Sequence, residues 1–196
     1  MNRAEAISAV ILAGGRSQRM GGTDKGLIDL NGKPLVQHLI DRIAPQVDEL
    51  LISANRHTGQ YRQLGYPVIG DEQQEFLGPL AGIASAMEIS KYPLLLVVPC
   101  DTPFLPNDLV QCMLRQLQSH NSDICLAHDG QRLQALISLL RTSLLPDLKR
   151  NIAANKLKVT GWMMEQNHSI AQFHDPAAFC NINTPEELAS VSDNHD

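Results

Sequence analysis

A short, mostly apolar run near the start of the chain leads directly into a glycine-rich loop. The run, Ile7–Leu12, is rich in β-branched residues and too short for an ordinary helix, so it predicts a buried strand. The loop that follows contains four glycines and three basic residues, Arg16, Arg19 and Lys25. Glycine lets backbone N–H groups face an anion without an intervening Cβ, and arginine and lysine side chains bind phosphate oxygens. The stretch therefore predicts a phosphate-binding loop after the first strand.

The same loop has a simpler interpretation, which is a tight connection between a strand and a helix with its basic residues in solvent. A plain turn needs one or two glycines and no clustered cations, so the combination favours phosphate binding. Two familiar nucleotide motifs are absent from the sequence, because neither G-x-x-x-x-G-K-[ST] nor G-x-G-x-x-G occurs in this loop. The loop is therefore neither the usual P-loop nor a dinucleotide-binding fingerprint.

Composition places the chain among globular α/β proteins. Its 196 residues are 43% hydrophobic and 19% charged, which suits one domain spanning 1–196. The net charge of −5 argues against nucleic acid as a partner. No apolar run is long enough to span a membrane, and the N-terminal run lacks the length of a signal peptide. The four cysteines are scattered without a C-x-x-C pair, so we expect a protein of the reducing cytoplasm.

Apolar runs alternate with helical patterns along most of the chain. This alternation predicts a Rossmann-like wound sheet, mainly parallel, with helices on its faces. The most apolar run, Leu94–Val98, is typical of a strand buried at the centre of a parallel sheet. Strands are predicted over residues 7–12, 50–54, 66–71, 94–98, 123–127, 133–140 and 170–173. Helices are predicted to begin after Pro34, within 78–82, after Pro106, at Ser143 and at Thr184.

Two aspartates follow predicted strands. Ligands of wound sheets bind outside the carboxyl ends of the strands, where Asp71 and Asp101 are expected to lie with the glycine-rich loop. Asp101 follows the central strand between Pro99 and Pro103, which restrict its movement. A rigid carboxylate beside bound phosphates is a usual ligand of Mg²⁺. The alternative for Asp101 is a capping role for the following helix, and Asp71 could contact a base or ribose or cap a turn.

Other candidate groups are less informative. The segment Gly78–Gly82 places two glycines at a helix start, where they could contact an anion or allow close packing of helix on sheet, and both possibilities stay open. The seven histidines are scattered and do not pair at metal-ligand spacing. No Ser-His-Asp arrangement is recognisable, so the sequence offers no obvious general base.

Several motifs occur in an order that resembles the molybdenum cofactor guanylyltransferase (MobA) family of nucleotidyltransferases, and the resemblance covers nearly the whole chain. The motifs are Val10–Gly15, Ser17, Arg19–Gly21, Asp24–Gly26, Asn31–Leu35, Asn55–Arg56, Gly78–Gly82, Pro99–Pro103, and Asn181 with Asn183–Leu188. The resemblance implies transfer of GMP from GTP to the terminal phosphate of the molybdopterin cofactor, with Mg²⁺ and release of pyrophosphate. A cytidylyltransferase, a sugar-1-phosphate nucleotidyltransferase and a non-catalytic nucleotide-binding module are the alternatives.

The resemblance also implies roles for individual residues and regions. The part of the chain up to about residue 100 would bind the nucleotide, and the remainder would face the pterin. Partners would be GTP, the molybdopterin cofactor, and proteins that insert the cofactor or mature molybdoenzymes. The implied catalytic residues are Arg19, Lys25 and Asp101, with Asp101 also holding the metal. The implied GTP-binding residues are Leu12, Ala13, Gly14, Lys25, Ser53, Asp71 and Asp101, and the implied pterin-binding residues are Asn181 and Asn183.

The sequence departs from the family pattern at a few positions. Some relatives carry asparagine where this chain has Ser53. A late Gly-x-Arg-Arg/Lys-Val segment is replaced here by Asn155–Val159, in which Lys158 keeps one positive charge. His-Pro before a late strand is replaced by Gln134–Ala135.

Overall fold

A computed structural model of the protein describes residues 5–13, 24–70, 78–182 and 187. The strands are β1 (Ile7–Leu12), β2 (Asp29–Leu30), β3 (Lys33–Pro34), β4 (Glu49–Ser53), β5 (Val68–Ile69), β6 (Leu94–Pro99), β7 (Ile124–His128), β8 (Leu133–Arg141) and β9 (His168–Gln172). The α-helices are α1 (Leu35–Ile43), α2 (Thr58–Arg62), α3 (Pro79–Ile89), α4 (Leu109–Ser119), α5 (Leu145–Ala153) and α6 (Val159–Glu165). The predicted helix start at Thr184 lies outside the described residues.

Seven strands form one sheet in the order β5-β4-β1-β6-β8-β7-β9. The pairs of β1 with β4 and β6, of β4 with β5, and of β7 with β9 are parallel. Strand β8 is antiparallel to both of its neighbours, β6 and β7. The prediction of a mainly parallel wound sheet is therefore confirmed.

Strand β6 occupies the centre of the sheet, as its apolar sequence predicts. Five of its residues, Leu94–Val98, are fully buried, and they alternate between the two sides. Helices α1, α2 and α4 cover one face, and helices α3, α5 and α6 cover the other. The prediction was incomplete in one respect, because the neighbour of β6 on one side is antiparallel.

Most element boundaries agree with the sequence patterns. The Asn31–Gly32 turn joins β2 to β3, and both residues have positive φ angles, as a tight hairpin of this kind requires. Strand β5 is shorter than the predicted strand over 66–71. Helices α2 and α6 were not predicted, because each has fewer than eight residues and too few apolar positions for a clear period. Within the described residues, no helix is both long enough and apolar enough to cross a membrane.

A buried carboxylate ties β1 and β4 to the segment before β6, at the amino ends of these strands. The Ser8 hydroxyl donates to Glu49 Oε2 at 2.7 Å, and the Lys91 N–H donates to the same oxygen at 2.9 Å. The Lys91 ammonium lies 3.1 Å from Glu49 Oε1, and only 8% of the Glu49 side chain is exposed. Burial by itself raises the pKa of Glu49, but the two hydrogen bonds and the Lys91 charge outweigh it and lower that pKa.

We expect Glu49→Gln to reduce the free energy of unfolding at pH 7 by about 1.5–3 kcal/mol, the range for hydrogen bonds to charged groups. Because the folded-state pKa lies below the usual 4.5, the stabilisation is fully present above pH 4.5 and is lost as the pH falls through the folded-state value. Urea denaturation at pH 7 and in acid measures both effects. Equal midpoints at pH 7, or a difference that persists unchanged in acid, would contradict this account.

Candidate active site

The carboxyl ends of the parallel strands meet at one edge of the sheet. Leu12 at the end of β1 lies opposite Ser53 of β4 on one side and opposite Pro99 of β6 on the other. Two hydrogen bonds continue this pairing beyond the strands: the Ala13 N–H donates to the Ser53 carbonyl at 2.8 Å, and the Cys100 N–H donates to the Leu12 carbonyl at 3.1 Å. The backbone therefore places Leu12, Ala13 and Ser53 together, immediately beside Asp101.

Lys25 and Asp101 form an ion pair at this edge, although they are 76 positions apart in the sequence. Lys25 Nζ lies 3.5 Å from Asp101 Oδ2. The Lys25 side chain is 26% exposed and the Asp101 side chain is 16% exposed, so both remain within reach of a ligand. The structure thus joins the glycine-rich stretch to the central strand through one cation and one carboxylate.

The second oxygen of Asp101 lies in an unusual position. Asp101 Oδ1 is buried and has no hydrogen-bond partner among the described residues. Burial raises the pKa of Asp101, the Lys25 ammonium opposes that rise, and the nearby charge of Glu187 adds to it. A buried carboxylate oxygen without a partner is costly, so it is commonly found where a cation or a ligand binds.

The chain near residue 181 also reaches this edge. The Ile182 N–H donates to the Asp101 carbonyl at 2.9 Å, and Ile182 itself is buried against Leu30 and Leu35. These contacts hold the preceding residue, Asn181, next to Asp101. Asn181 Oδ1 is buried and likewise lacks a hydrogen-bond partner among the described residues. Two unpartnered acceptors thus lie on neighbouring segments.

Asp24 and Tyr61 shape the turn that carries Lys25. Asp24 is the N-cap of a single 3₁₀ turn, residues 25–27, and its Oδ1 accepts a hydrogen bond from the Gly26 N–H at 3.2 Å. The same oxygen accepts the Tyr61 hydroxyl at 2.6 Å. Burial raises the pKa of Tyr61, and Cys100 and Asp24 add to the rise, so the phenol keeps its proton. Asp24 was not among the predicted site residues, although an aspartate two positions before a glycine is a turn signal. Tyr61 carried no sequence signal.

Gly82 in the first part of α3 packs tightly against the strand ends. A Cβ at this position would lie 2.8 Å from Ser53 Oγ and 3.1 Å from Leu12 Cδ2. The lack of a side chain at Gly82 therefore allows the helix to approach two of the predicted nucleotide-binding residues. Of the two possibilities left open for Gly78–Gly82, this contact favours close packing of helix on sheet for Gly82.

Four of the predicted site residues, Gly14, Arg19, Asp71 and Asn183, lie outside the described residues. Strand β5, which precedes Asp71, pairs in parallel with β4 so that Ile69 lies opposite Ser53. The described residues contain no group of three or more histidine, cysteine, aspartate or glutamate side chains that could hold a metal ion. Mg²⁺ commonly takes only one or two protein carboxylates together with phosphate oxygens and water, so Asp101 alone suits it better than a closed cage.

Several solved structures share this fold. Molybdopterin-guanine dinucleotide biosynthesis protein A from Archaeoglobus fulgidus matches with a TM-score of 0.78 at 21% identity, covering 95% of this chain and 97% of that one. A 4-diphosphocytidyl-2C-methyl-D-erythritol synthase from Anaerococcus prevotii matches with a TM-score of 0.77 at 11% identity, covering 97% and 96%. At these identities the likeness establishes the fold alone.

Sequence comparison then defines the family. Residues 9–169 match the MobA-like NTP transferase domain. Two relatives named molybdenum cofactor guanylyltransferase are each 48% identical to this chain: one from Shewanella sediminis, over 95% of this chain and 96% of that protein, and one from Shewanella putrefaciens, over 92% and 93%. The chain therefore belongs to the MobA-like NTP transferase family.

We expect Gly82→Ala to lower the free energy of unfolding by about 1–3 kcal/mol, the usual cost of overpacking, because the new methyl group forces α3 away from Leu12 and Ser53. Gly59→Ala is the matched control. Gly59 also lies in a helix, α2, but nothing lies within 4 Å of its Cβ position.

The control variant should gain about 0.5–1 kcal/mol from its better helix propensity. Thermal denaturation of both variants measures the difference. Equal effects of the two substitutions would show that the close approach at Gly82 is unimportant.

Proposed function

We propose that this chain transfers GMP from GTP to the terminal phosphate of the molybdenum-molybdopterin cofactor. A phosphate oxygen of the cofactor forms a bond to the α-phosphorus of GTP as the bond to the β-phosphate breaks. The products are molybdopterin guanine dinucleotide and pyrophosphate. The observation that carries the proposal is the Lys25–Asp101 pair at the carboxyl edge of the sheet, in a chain 48% identical to curated relatives named for this activity.

The chemistry needs no general base. A phosphate monoester has a second pKa of about 6, so the attacking phosphate is largely ionised near neutral pH. Catalysis then depends on aligning two anionic groups and on stabilising the charge that develops between them. Lys25 places an ammonium group where this charge develops on the α-phosphate and on the leaving pyrophosphate. The resemblance to the family implies the same role for Arg19.

Asp101 is the residue best suited to hold Mg²⁺. Its buried Oδ1 lacks a partner among the described residues, and a cation would satisfy it. Mg²⁺ held by Asp101 would neutralise part of the charge on the GTP phosphates. Burial favours the neutral form of Asp101 and raises its pKa, and the Lys25 ammonium, 3.5 Å from Oδ2, opposes that rise and so favours the charged form.

Each of the other predicted site residues is assigned to one of the two substrates. On the nucleotide side, the backbone of Leu12, Ala13 and Gly14 holds GTP, while Ser53 and Asp71 lie near its base or sugar. On the other side, Asn181 and Asn183 face the pterin. The proposal thus assigns the nucleotide to the part of the chain up to about residue 100 and the pterin to the remainder of a single domain, 1–196.

The proposed reaction also indicates the expected partner proteins and the cellular compartment. Its product is used by molybdoenzymes, so proteins that insert the cofactor or mature those enzymes are the expected partners. The four cysteines are free thiols, as expected for a protein in the reducing cytoplasm.

The choice of base separates this proposal from its nearest rival, a cytidylyltransferase acting on the same cofactor. We expect calorimetric titration with Mg²⁺ present to give tighter binding of GTP than of CTP or ATP. Pyrophosphate release should require GTP and the molybdopterin cofactor together. A clear preference for CTP in both assays would reject guanylyl transfer and support the rival.

We expect Asp101→Asn to abolish nearly all turnover and to make GTP affinity independent of Mg²⁺, because the amide keeps the shape of the side chain but not its charge. Steady-state pyrophosphate release and calorimetry with and without Mg²⁺ measure the two effects, and circular dichroism checks the fold. Wild-type turnover in this variant would remove Asp101 from the metal site.

Asp123→Asn provides a matched control. Asp123 forms a comparable ion pair, with 3.8 Å between its Oδ1 and Arg141 Nε, at the opposite edge of the sheet. This variant should retain wild-type turnover and the normal response of GTP affinity to Mg²⁺.

A further inference from the structure

The turn that carries Lys25 is fixed by a side chain from a distant helix. Three hydrogen bonds close the turn. The Gly26 N–H donates to Asp24 Oδ1. The Leu27 N–H donates to the Asp24 carbonyl at 3.0 Å, and the Ile28 N–H donates to the Lys25 carbonyl at 3.2 Å. A single 3₁₀ turn has too few internal hydrogen bonds to be rigid by itself. Its position must therefore come from what it packs against.

Tyr61 of α2 supplies that support. Its side chain is fully buried in the core beneath the sheet edge, and its hydroxyl donates to Asp24 Oδ1 at 2.6 Å. A single carboxylate oxygen thus accepts one hydrogen bond from the turn and one from the core. Charge-assisted bonds of this length are among the stronger ones in proteins.

Gly26 brings the turn into direct contact with the same tyrosine. A Cβ at Gly26 would lie 2.5 Å from the Tyr61 hydroxyl oxygen and 3.4 Å from Cys100 Cβ. The turn is therefore wedged between Tyr61 and the residue that precedes Asp101. Lys25, which is next to Gly26, is held where its ammonium group meets Asp101 Oδ2 at 3.5 Å.

We propose that Tyr61 is a positioning residue that acts through Asp24 to hold Lys25 beside Asp101 before substrates bind. The inference rests on the proposed nucleotidyl transfer, in which Lys25 stabilises developing charge. A charged group accelerates such a step most when it is already oriented, because it then reorganises little during the reaction. Tyr61 lies in the core and bonds to Asp24, so its proposed effect on the rate is indirect.

Tyr61→Phe tests this role because it removes the hydroxyl and leaves the buried ring in place. We expect kcat to fall about 10- to 100-fold, since displacing a catalytic group by about 1 Å costs on this order. The variant should stay folded, with a much smaller change in the Kd for GTP than in kcat. Ser169→Ala is the matched control, because it removes a buried hydroxyl bonded to Ser122 Oγ at 2.7 Å in strand β9 at the far side of the sheet. That control should keep wild-type kcat.

A double-mutant cycle with Lys25→Ala separates positioning from a general loss of stability. If Tyr61 acts through Lys25, adding Tyr61→Phe to Lys25→Ala should not lower kcat further. Independent, multiplicative losses would overturn the proposal, and so would a wild-type kcat in Tyr61→Phe. Should Tyr61→Phe fail to fold, Asp24→Ala and Asp24→Asn replace it: the alanine variant should reproduce the loss, and the asparagine variant, which keeps the accepting oxygen, should largely restore kcat.

A readout that needs no turnover distinguishes this proposal from the proposed function. Acetylation of Lys25 by an N-hydroxysuccinimide ester, followed by mass spectrometry, should be several-fold faster in Tyr61→Phe than in wild type, with Lys33 and Lys91 unchanged. Unchanged labelling of Lys25 would reject the positioning role. Faster labelling in a protein that releases no pyrophosphate from GTP and the molybdopterin cofactor would keep the positioning role and reject guanylyl transfer.

Discussion

The parallel pairing of β1 with β4 on one side and β6 on the other is the constraint on which the site depends. Neighbouring parallel strands have their carboxyl ends at the same edge of the sheet. The ends of three segments that are distant in sequence are therefore joined by hydrogen bonds. The Cys100 N–H donates a hydrogen bond to the Leu12 carbonyl, and the Ala13 N–H donates one to the Ser53 carbonyl. Once this pairing forms, the position of Asp101 next to the end of β1 follows from the backbone.

The charges at that edge agree with the proposed binding of two phosphorylated substrates. Asp101 is mostly buried, which raises its pKa, and Lys25 offsets part of the cost of keeping it charged. Among the described residues, one carboxylate oxygen of Asp101 and the buried amide oxygen of Asn181 have no hydrogen-bond partner. Lys25 is carried by a short turn that begins at Asp24. The Asp24 carboxylate accepts a hydrogen bond from Tyr61, which lies in the core. The reactive edge is thus linked to the hydrophobic interior by two hydrogen bonds on one oxygen atom.

Much of the fold follows from local patterns in the chain. The six-residue run at 7–12 and the fully apolar run at 94–98 predict buried strands, and the apolar spacing after Pro34 predicts one helix face; both predictions agree with the structure. Elements without such patterns were missed, namely α2 and α6, whose few buried residues do not repeat over two full turns. The antiparallel direction of β8 was also beyond local reasoning, because an apolar strand has the same sequence signature in either direction.

The sequence alone determined the residue types of the site: a glycine-rich, cationic loop after the first strand and a carboxylate after the central one. It also determined, through ordered motifs, the family to which the chain belongs. The tertiary structure decided which of these groups meet. Lys25 pairs with Asp101 across 76 positions, and Tyr61 holds Asp24, because strand pairing and helix packing bring them together. Contacts of that kind depend on long-range geometry, which no local pattern of residues encodes.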